Sequence, residues 1–279
     1  MIDLLNYSST ELSKEINEKP FPYFFKDDFL KEELFKQLNY DFDELKNSNK
    51  IKWTVVEPPK GTRKTEENGV NYVIGGGGNN MGSYEPFKQL TDKYESWKYF
   101  IDMISSDASY EYFNDVFINT EEHQTTIQES IQNNVEWQLG CKISCFTNNY
   151  GYIIHPDNIN KVLSFLLYLD NSDWDDISNP QGNGTQIWEV KDNAVKYDRD
   201  KNSIEYQLRS GRYSEKPESL KEEEADRVEM VDLVKFVPNR LVGFVRTNHS
   251  YHSIYPMVLP KNVTRNCFQI NIWKLNRRY

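Results

Sequence analysis

Two residues that could bind a metal ion lie two positions apart near the middle of the chain, in the segment YGYIIHPD. His155 and Asp157 end a short apolar run that is predicted to be a β-strand. Because side chains at positions i and i+2 of a strand point to the same face, both can enter one cavity while Pro156 points away from it. An imidazole and a carboxylate on one face are suitable ligands for a divalent metal ion.

A second histidine would complete a set of three ligands. The chain has four histidines: His123, His155, His249 and His252. His123 lies in the polar stretch EEHQTT, which predicts a solvated surface residue. His249 and His252 follow a predicted strand at residues 241–245, and their spacing of three puts them on opposite sides if that strand continues. The alternation of histidine and isoleucine in HSI leaves His249 at the turn and favours His252.

Two imidazoles and one carboxylate on one face of an octahedron are the ligand set of non-haem Fe(II) oxygenases. The order His-x-Asp, then about a hundred residues, then His and Arg resembles the motif of 2-oxoglutarate-dependent Fe(II) oxygenases, particularly the prolyl 4-hydroxylase-like branch. Other segments resemble strands and turns of that branch, namely PFPYFFKDDFL, VLSFLLYLD, NSDWDD, GNGTQIWEV and PNRLVGF. The similarity covers most of the chain and is densest at residues 145–176 and 239–273.

The resemblance implies that His155, Asp157 and His252 hold Fe(II) and that 2-oxoglutarate chelates it. The implied reaction uses O2 to hydroxylate a C–H group and releases succinate and CO2, with ascorbate as a supporting reductant. The far carboxylate of 2-oxoglutarate needs a planar, two-pronged cation, and Arg265, thirteen residues after His252, is the expected partner. Tyr168, in the YLD that matches the family strand, is the expected hydroxyl donor to the same carboxylate. A core tyrosine with a satisfied hydroxyl is the alternative for Tyr168.

Two other classes of protein stay open. One is a non-catalytic jelly-roll module that binds a metal or a sugar, and the other is a cupin-type dioxygenase that does not use 2-oxoglutarate. The presence of Arg265 beside the three ligands favours the 2-oxoglutarate oxygenase. The sequence does not distinguish a peptidyl proline, a free amino acid or a small metabolite as substrate.

Composition argues against several other functions. A net charge of -10 and a pI near 5.1 do not suit a nucleic-acid partner, which requires a basic surface. The longest apolar run, residues 162–169, is far shorter than the roughly 20 residues that span a bilayer, and the N-terminal residues do not resemble a signal peptide. No membrane partner is therefore expected, and the predicted compartment is the cytoplasm. Three cysteines, Cys141, Cys145 and Cys267, fit a reducing environment without a structural zinc site.

The elements that must position these residues are predicted from their spacing of apolar side chains. Helices are expected at residues 29–38, with Asp27 or Asp28 as the N-cap, and twice between residues 87 and 117. Strands are expected at residues 21–25, 50–56 and 136–146. Residues 57–83, with GGGG at 75–78, are predicted to be a flexible loop or a flap over the active site, and residues 121–123 a polar turn.

Together these elements predict a mainly β protein with supporting α-helices, a distorted double-stranded β-helix or jelly roll. A single oxygenase domain is expected over residues 1–279, with a helical support at about 1–135 and the jelly-roll core at about 136–279. The charged block at residues 191–232 is too long for a simple connection. A solvated insertion, a lid over the substrate and an element of a homodimer remain open for it.

Overall fold

The computed structural model describes residues 4–48, 51–56, 69–75, 85–169, 183–190, 228–260 and 263–275. Two antiparallel sheets enclose one apolar cluster, and helices pack on the outer face of the larger sheet. The helices are α1 Ser9–Ser13, α2 Glu32–Asn47, α3 Lys88–Thr91, α4 Glu95–Ile104, α5 Asp107–Val116 and α6 Glu121–Gln132. Among the described residues, no helix combines the length and apolar character required to span a bilayer.

The strands are β1 Tyr23–Lys26, β2 Thr54–Val56, β3 Asn71–Gly75, β4 Glu136–Phe146, β5 Tyr152–His155, β6 Lys161–Leu169, β7 Thr185–Val190, β8 Val228–Val234, β9 Leu241–Val245, β10 His252–Ile254 and β11 Arg265–Leu275. The larger sheet has the order β1-β9-β6-β11-β4-β3-β2, and the smaller one β5-β10-β7-β8. From β4 onward, successive strands alternate between the two sheets, except that β7 and β8 pair with each other in the smaller sheet. This winding is the double-stranded β-helix that the sequence predicts, and strands from the first part of the chain extend its larger sheet on both sides.

Alternation along the strands divides the larger sheet into two faces. On the outer face, Phe268 of β11 lies against Phe100 of α4, with ring centroids 4.9 Å apart, and Phe165 of β6 lies 4.6 Å from Phe113 of α5. Residues of the inner face, including Tyr168 and Cys267, join the apolar cluster between the sheets. The helices therefore support the sheet from behind and leave its inner face for the site.

Helix α2 differs from its prediction at both ends. It begins at Glu32 and ends at Asn47. The helix extends beyond its predicted end because Phe42 and Leu45 continue the spacing of buried apolar residues. The expected cap was wrong. Asp28 has a left-handed φ of 52°, and Asp27 forms an ion pair with Arg240 instead.

Two predicted loops contain regular structure. Residues 71–75 within the predicted glycine-rich loop form β3, which pairs with β4, while residues 57–68 and 76–83 lie outside the described residues. The predicted turn at residues 121–123 is the first turn of α6, so that prediction was wrong. Of the charged block, residues 228–232 belong to β8, and residues 191–227 lie outside the described part of the chain.

Candidate active site

His155, Asp157 and His252 meet between the two sheets. His252 of β10 is the register partner of His155 at the end of β5, and their ring centroids are 4.5 Å apart. Asp157 lies two residues after His155, the last residue of β5. This spacing places both side chains on the same face if the backbone stays extended. One ligand atom from each of the three lies within 4.8 Å of the other two, and all three side chains are buried. His249 is exposed in the turn that precedes β10, so it does not join the group.

Hydrogen bonds orient two of the three candidate ligands. Nδ1 of His252 lies 2.9 Å from the carbonyl oxygen of Ser250, an arrangement in which Nδ1–H donates and Nε2 keeps its lone pair for a metal ion. Ser164 donates to Oδ2 of Asp157 over 2.7 Å, and Nζ of Lys161 lies 2.9 Å from Oδ1. These contacts fix the orientation of the carboxylate, which offers one oxygen as a candidate metal ligand.

The backbone that carries Asp157 is also fixed. Nε of Arg246 donates to the carbonyl oxygen of Asp157 over 3.1 Å, and the backbone N–H of Arg246 donates to Val162. Arg246 directly follows β9, and Val162 lies in β6, two neighbouring strands of the larger sheet. The segment after β5 is thus attached to the larger sheet, which holds Asp157 facing the two histidines of the smaller one.

Arg265 begins β11 and is buried at 1% exposure. Its guanidinium carbon lies 5.0 to 5.3 Å from the ring centroids of Tyr168, Phe146 and Phe236. Nη2 donates to Oγ1 of Thr185 over 3.3 Å, while Nε is buried and has no hydrogen-bond partner among the residues that the structure describes. A buried cation that lacks an anion is costly, so this guanidinium has the environment of a site for an anionic group.

Tyr168 and Arg265 are adjacent, as the resemblance implies. The hydroxyl of Tyr168 lies 2.7 Å from Oγ1 of Thr185, the same atom that Arg265 contacts. Burial raises the pKa of Tyr168, so its hydroxyl stays protonated and can donate a hydrogen bond. The two residues and Thr185 form one polar group inside an aromatic enclosure.

A cavity of about 230 Å³ connects this polar group with the three candidate ligands. Its wall includes two lysines, Lys142 of β4 and Lys161 of β6. Burial, followed by the positive charge of Lys161, lowers the pKa of Lys142 to about 8. The cavity therefore contains the candidate metal ligands, a buried arginine and a lysine with a lowered pKa.

Five residues of this site were not predicted from the sequence: Lys142, Lys161, Ser164, Thr185 and Arg246. For only one of them, Lys142, does the local sequence indicate a position in the site. In CKISC, Lys142 alternates with apolar residues, which indicates a polar face, and in a two-sheet protein that face can point into the space between the sheets. His123, in contrast, was predicted to be solvated and is fully buried, so that prediction was wrong. Its Nε2 contacts Oδ1 of Asn114 at 2.9 Å, and its ring packs on Trp137, because α6 lies against β4.

The fold and site define a double-stranded β-helix with a candidate metal centre of two histidines and one carboxylate. No protein-family model matches the chain, and no curated protein matches its sequence. Solved structures are similar to it over nearly its whole length. A prolyl-4-hydroxylase from Pseudomonas putida is 13% identical, with 97% of this chain and 100% of that chain covered and a TM-score of 0.42.

Two further solved structures show the same low identity. IDO from Bacillus thuringiensis is 12% identical, with 97% of this chain and 96% of that chain covered and a TM-score of 0.45. HygX from Streptomyces hygroscopicus, solved with nickel and 2-oxoglutarate bound, is 8% identical, with 95% and 85% covered and a TM-score of 0.42. At these identities the neighbours specify neither the reaction nor the substrate of this chain.

Proposed function

We propose that this protein is an Fe(II)- and 2-oxoglutarate-dependent dioxygenase that hydroxylates an unactivated C–H group of a small molecule or a peptide. The observation that supports this most strongly is the joint presence, in one cavity, of the His155, Asp157 and His252 group and the buried Arg265, which forms no ion pair with any described residue. A metal-binding group alone would suit many functions. A buried guanidinium in the same cavity adds a site for an anionic co-substrate.

The three ligands fit Fe(II) by their chemistry. Two imidazoles and one carboxylate occupy one face of an octahedral ion and leave the opposite face for exchangeable ligands. Ser250 selects the His252 tautomer that has its lone pair on Nε2, while Ser164 and Lys161 orient the Asp157 carboxylate. His155 and His252 come from paired strands, so the sheet itself sets their separation.

Arg265, Tyr168 and Thr185 fit the far carboxylate of 2-oxoglutarate. The guanidinium supplies charge and a planar fork, and Nε has a hydrogen available for an acceptor. Tyr168 supplies a protonated hydroxyl. When bound together, Fe(II) and 2-oxoglutarate supply the oxidising chemistry, in which one oxygen atom of O2 enters succinate with loss of CO2 and the other enters the hydroxylated product. The enclosing rings of Phe146 and Phe236 exclude water from the charged pair.

The experiment that tests this proposal separates binding from turnover. We expect anaerobic titration to detect one Fe(II) per chain, and calorimetry on Mn(II)-loaded protein to detect 2-oxoglutarate. We also expect succinate formation with Fe(II), O2, ascorbate and 2-oxoglutarate. Metal binding without binding of 2-oxoglutarate would contradict the proposal and favour a metal-binding module. Binding of both without succinate under any substrate condition would contradict catalysis.

A further inference from the structure

Among the described residues of the cavity wall, Lys142 is the one with an ordinarily charged side chain to which the proposed function gives no task. It lies on β4 with its side chain on the inner face of the larger sheet, opposite Gln269 of β11. Phe146, four residues further along β4, is the register partner of Arg265. Four residues correspond to about 13 Å along a strand, so Lys142 and Arg265 occupy different levels of the cavity.

The ammonium group of Lys142 has no hydrogen-bond or ion-pair partner within the described part of the chain, although the residue is half-buried. The nearby lysine, Lys161, is already paired with Asp157 at 2.9 Å. The lowered pKa of Lys142 agrees with this, since burial and the positive charge of Lys161 disfavour the charged ammonium more than the negative charge of Asp157 favours it.

The charges of the cavity wall indicate which kind of ligand would pair with the ammonium group of Lys142. Among the described lining residues, three carry a positive charge and one a negative charge: Lys142, Lys161, Arg265 and Asp157. Fe(II) and doubly ionised 2-oxoglutarate would add equal and opposite charges, which leaves an excess of two positive charges. An uncharged substrate would leave that excess in place and a cationic one would increase it, whereas an anionic group beside Lys142 would reduce it.

We propose that Lys142 binds an anionic oxygen group of the substrate, a carboxylate or a phosphate, while 2-oxoglutarate occupies the Arg265 end of the cavity. This inference rests on the proposed function, because it assumes that the co-substrate satisfies Arg265. It restricts the substrate to molecules that carry a negative charge near the C–H group to be hydroxylated. Free amino acids, hydroxy acids and phosphate monoesters meet this condition.

The direct test uses two small anions and the magnetism of Mn(II). Protein loaded with Mn(II) and 2-oxoglutarate is titrated with methyl phosphate and, separately, with acetate, while nuclear relaxation of each probe is measured. Methanol and acetamide serve as uncharged counterparts. We expect an anion bound near the metal centre to relax faster than its uncharged counterpart, and the anion with the larger enhancement identifies phosphate or carboxylate as the preferred group.

Three variants assign the effect. Lys142→Met should abolish the enhancement, and Lys142→Arg should retain most of it because the charge is kept. Lys274→Met is the matched control, since Lys274 is a partly buried lysine on the outer side of β11, next to the cavity residue Trp273. Equal enhancement in wild type and Lys142→Met would overturn the proposal, because the anion would then bind the metal or Arg265. The absence of any enhancement in the wild-type protein would overturn it as well.

Affinity for 2-oxoglutarate, measured on the same samples, separates this inference from the proposed function. We expect Lys142→Met to bind 2-oxoglutarate like wild type, and a loss of more than about tenfold would mean that Lys142 serves the co-substrate instead. Wild-type protein that binds neither Mn(II) nor 2-oxoglutarate would contradict the proposed function itself. Once an anionic substrate is known, Lys142→Met should raise its KM by roughly 10- to 100-fold, the effect of losing one charge-assisted hydrogen bond.

Discussion

Replacement of Arg265 by alanine tests the co-substrate site most directly. The side chain is 1% exposed, and the rings of Tyr168, Phe146 and Phe236 enclose its guanidinium. Without the guanidinium, the far carboxylate of 2-oxoglutarate would be desolvated against Phe146 and Phe236. Leaving a buried charge without its partner costs about 2 to 5 kcal/mol, so affinity for 2-oxoglutarate should fall by at least about 25-fold.

Two further substitutions should lower the affinity for 2-oxoglutarate by smaller amounts. Arg265→Lys keeps the charge but loses the planar fork, so its affinity for 2-oxoglutarate should lie between those of wild type and Arg265→Ala. Tyr168→Phe removes a single hydroxyl, which costs about 1.5 to 3 kcal/mol if its hydrogen bond to the carboxylate is charge-assisted. Fe(II) affinity should hardly change in any of these variants, because none of the altered residues belongs to the group of candidate metal ligands.

The assay is succinate formation as a function of 2-oxoglutarate concentration, together with calorimetry on Mn(II)-loaded protein, which does not depend on turnover. Arg240→Ala is the matched control. Arg240 is also a buried arginine, but it pairs with Asp27, away from the cavity, so its loss should lower stability without changing the Kd of 2-oxoglutarate. An Arg265→Ala protein with wild-type affinity would refute the assignment and require another cation as the anchor.

Three further predictions concern the metal ion, acid stability and the core. His252→Ala should abolish Fe(II) binding in an anaerobic titration, whereas His249→Ala should leave it nearly intact, and the reverse result would exchange their roles. Burial lowers the pKa of His123 to about 4 from an ordinary value near 6.5, so the unfolded chain takes up its proton first as the pH falls. Lowering the pH from 7 to 4.5 should therefore remove about 2.5 kcal/mol of stability in urea unfolding, and a His123→Gln protein with an equal loss would contradict this. Phe268→Ala, at a fully buried ring beside Trp97, should lower the free energy of unfolding by about 3 to 5 kcal/mol, and a loss below about 1 kcal/mol would mean that the helices do not depend on this contact.

Periodicity predicted the geometry of the candidate metal centre better than it predicted the wall of the cavity. The two-residue spacing of His155 and Asp157 is a local property of one strand, and the choice of His252 over His249 needed only the alternation along the next candidate strand. The position of Lys142 in the cavity wall could not be predicted in the same way. A lysine on the polar face of a strand usually faces solvent, and only the pairing of the two sheets turns that face inward.

Errors in the helices and loops have similar causes. The sequence around His123 is polar, and its burial comes from the contact of α6 with Trp137, which lies in another element. The strand β3 is short and lies next to glycines, so composition favoured a loop, whereas pairing with β4 stabilises it as a strand. In both cases a tertiary contact decided the outcome, and local propensity could not have indicated it.

The position of β11 in the larger sheet affects how the protein can fold. Within the described residues, β4, β3 and β2 form one part of that sheet and β6, β9 and β1 another, and the ladder of hydrogen bonds between them runs through β11. Arg265 pairs with Phe146, more than a hundred residues earlier in the chain, so this join closes a long loop and costs loop-closure entropy. Because Arg265 begins this strand, the proposed anion site can form only when the two parts of the sheet are united. A ligand that binds Arg265 would therefore stabilise the whole sheet against unfolding, and a chain folded up to β9 alone would have no affinity for that ligand at this position.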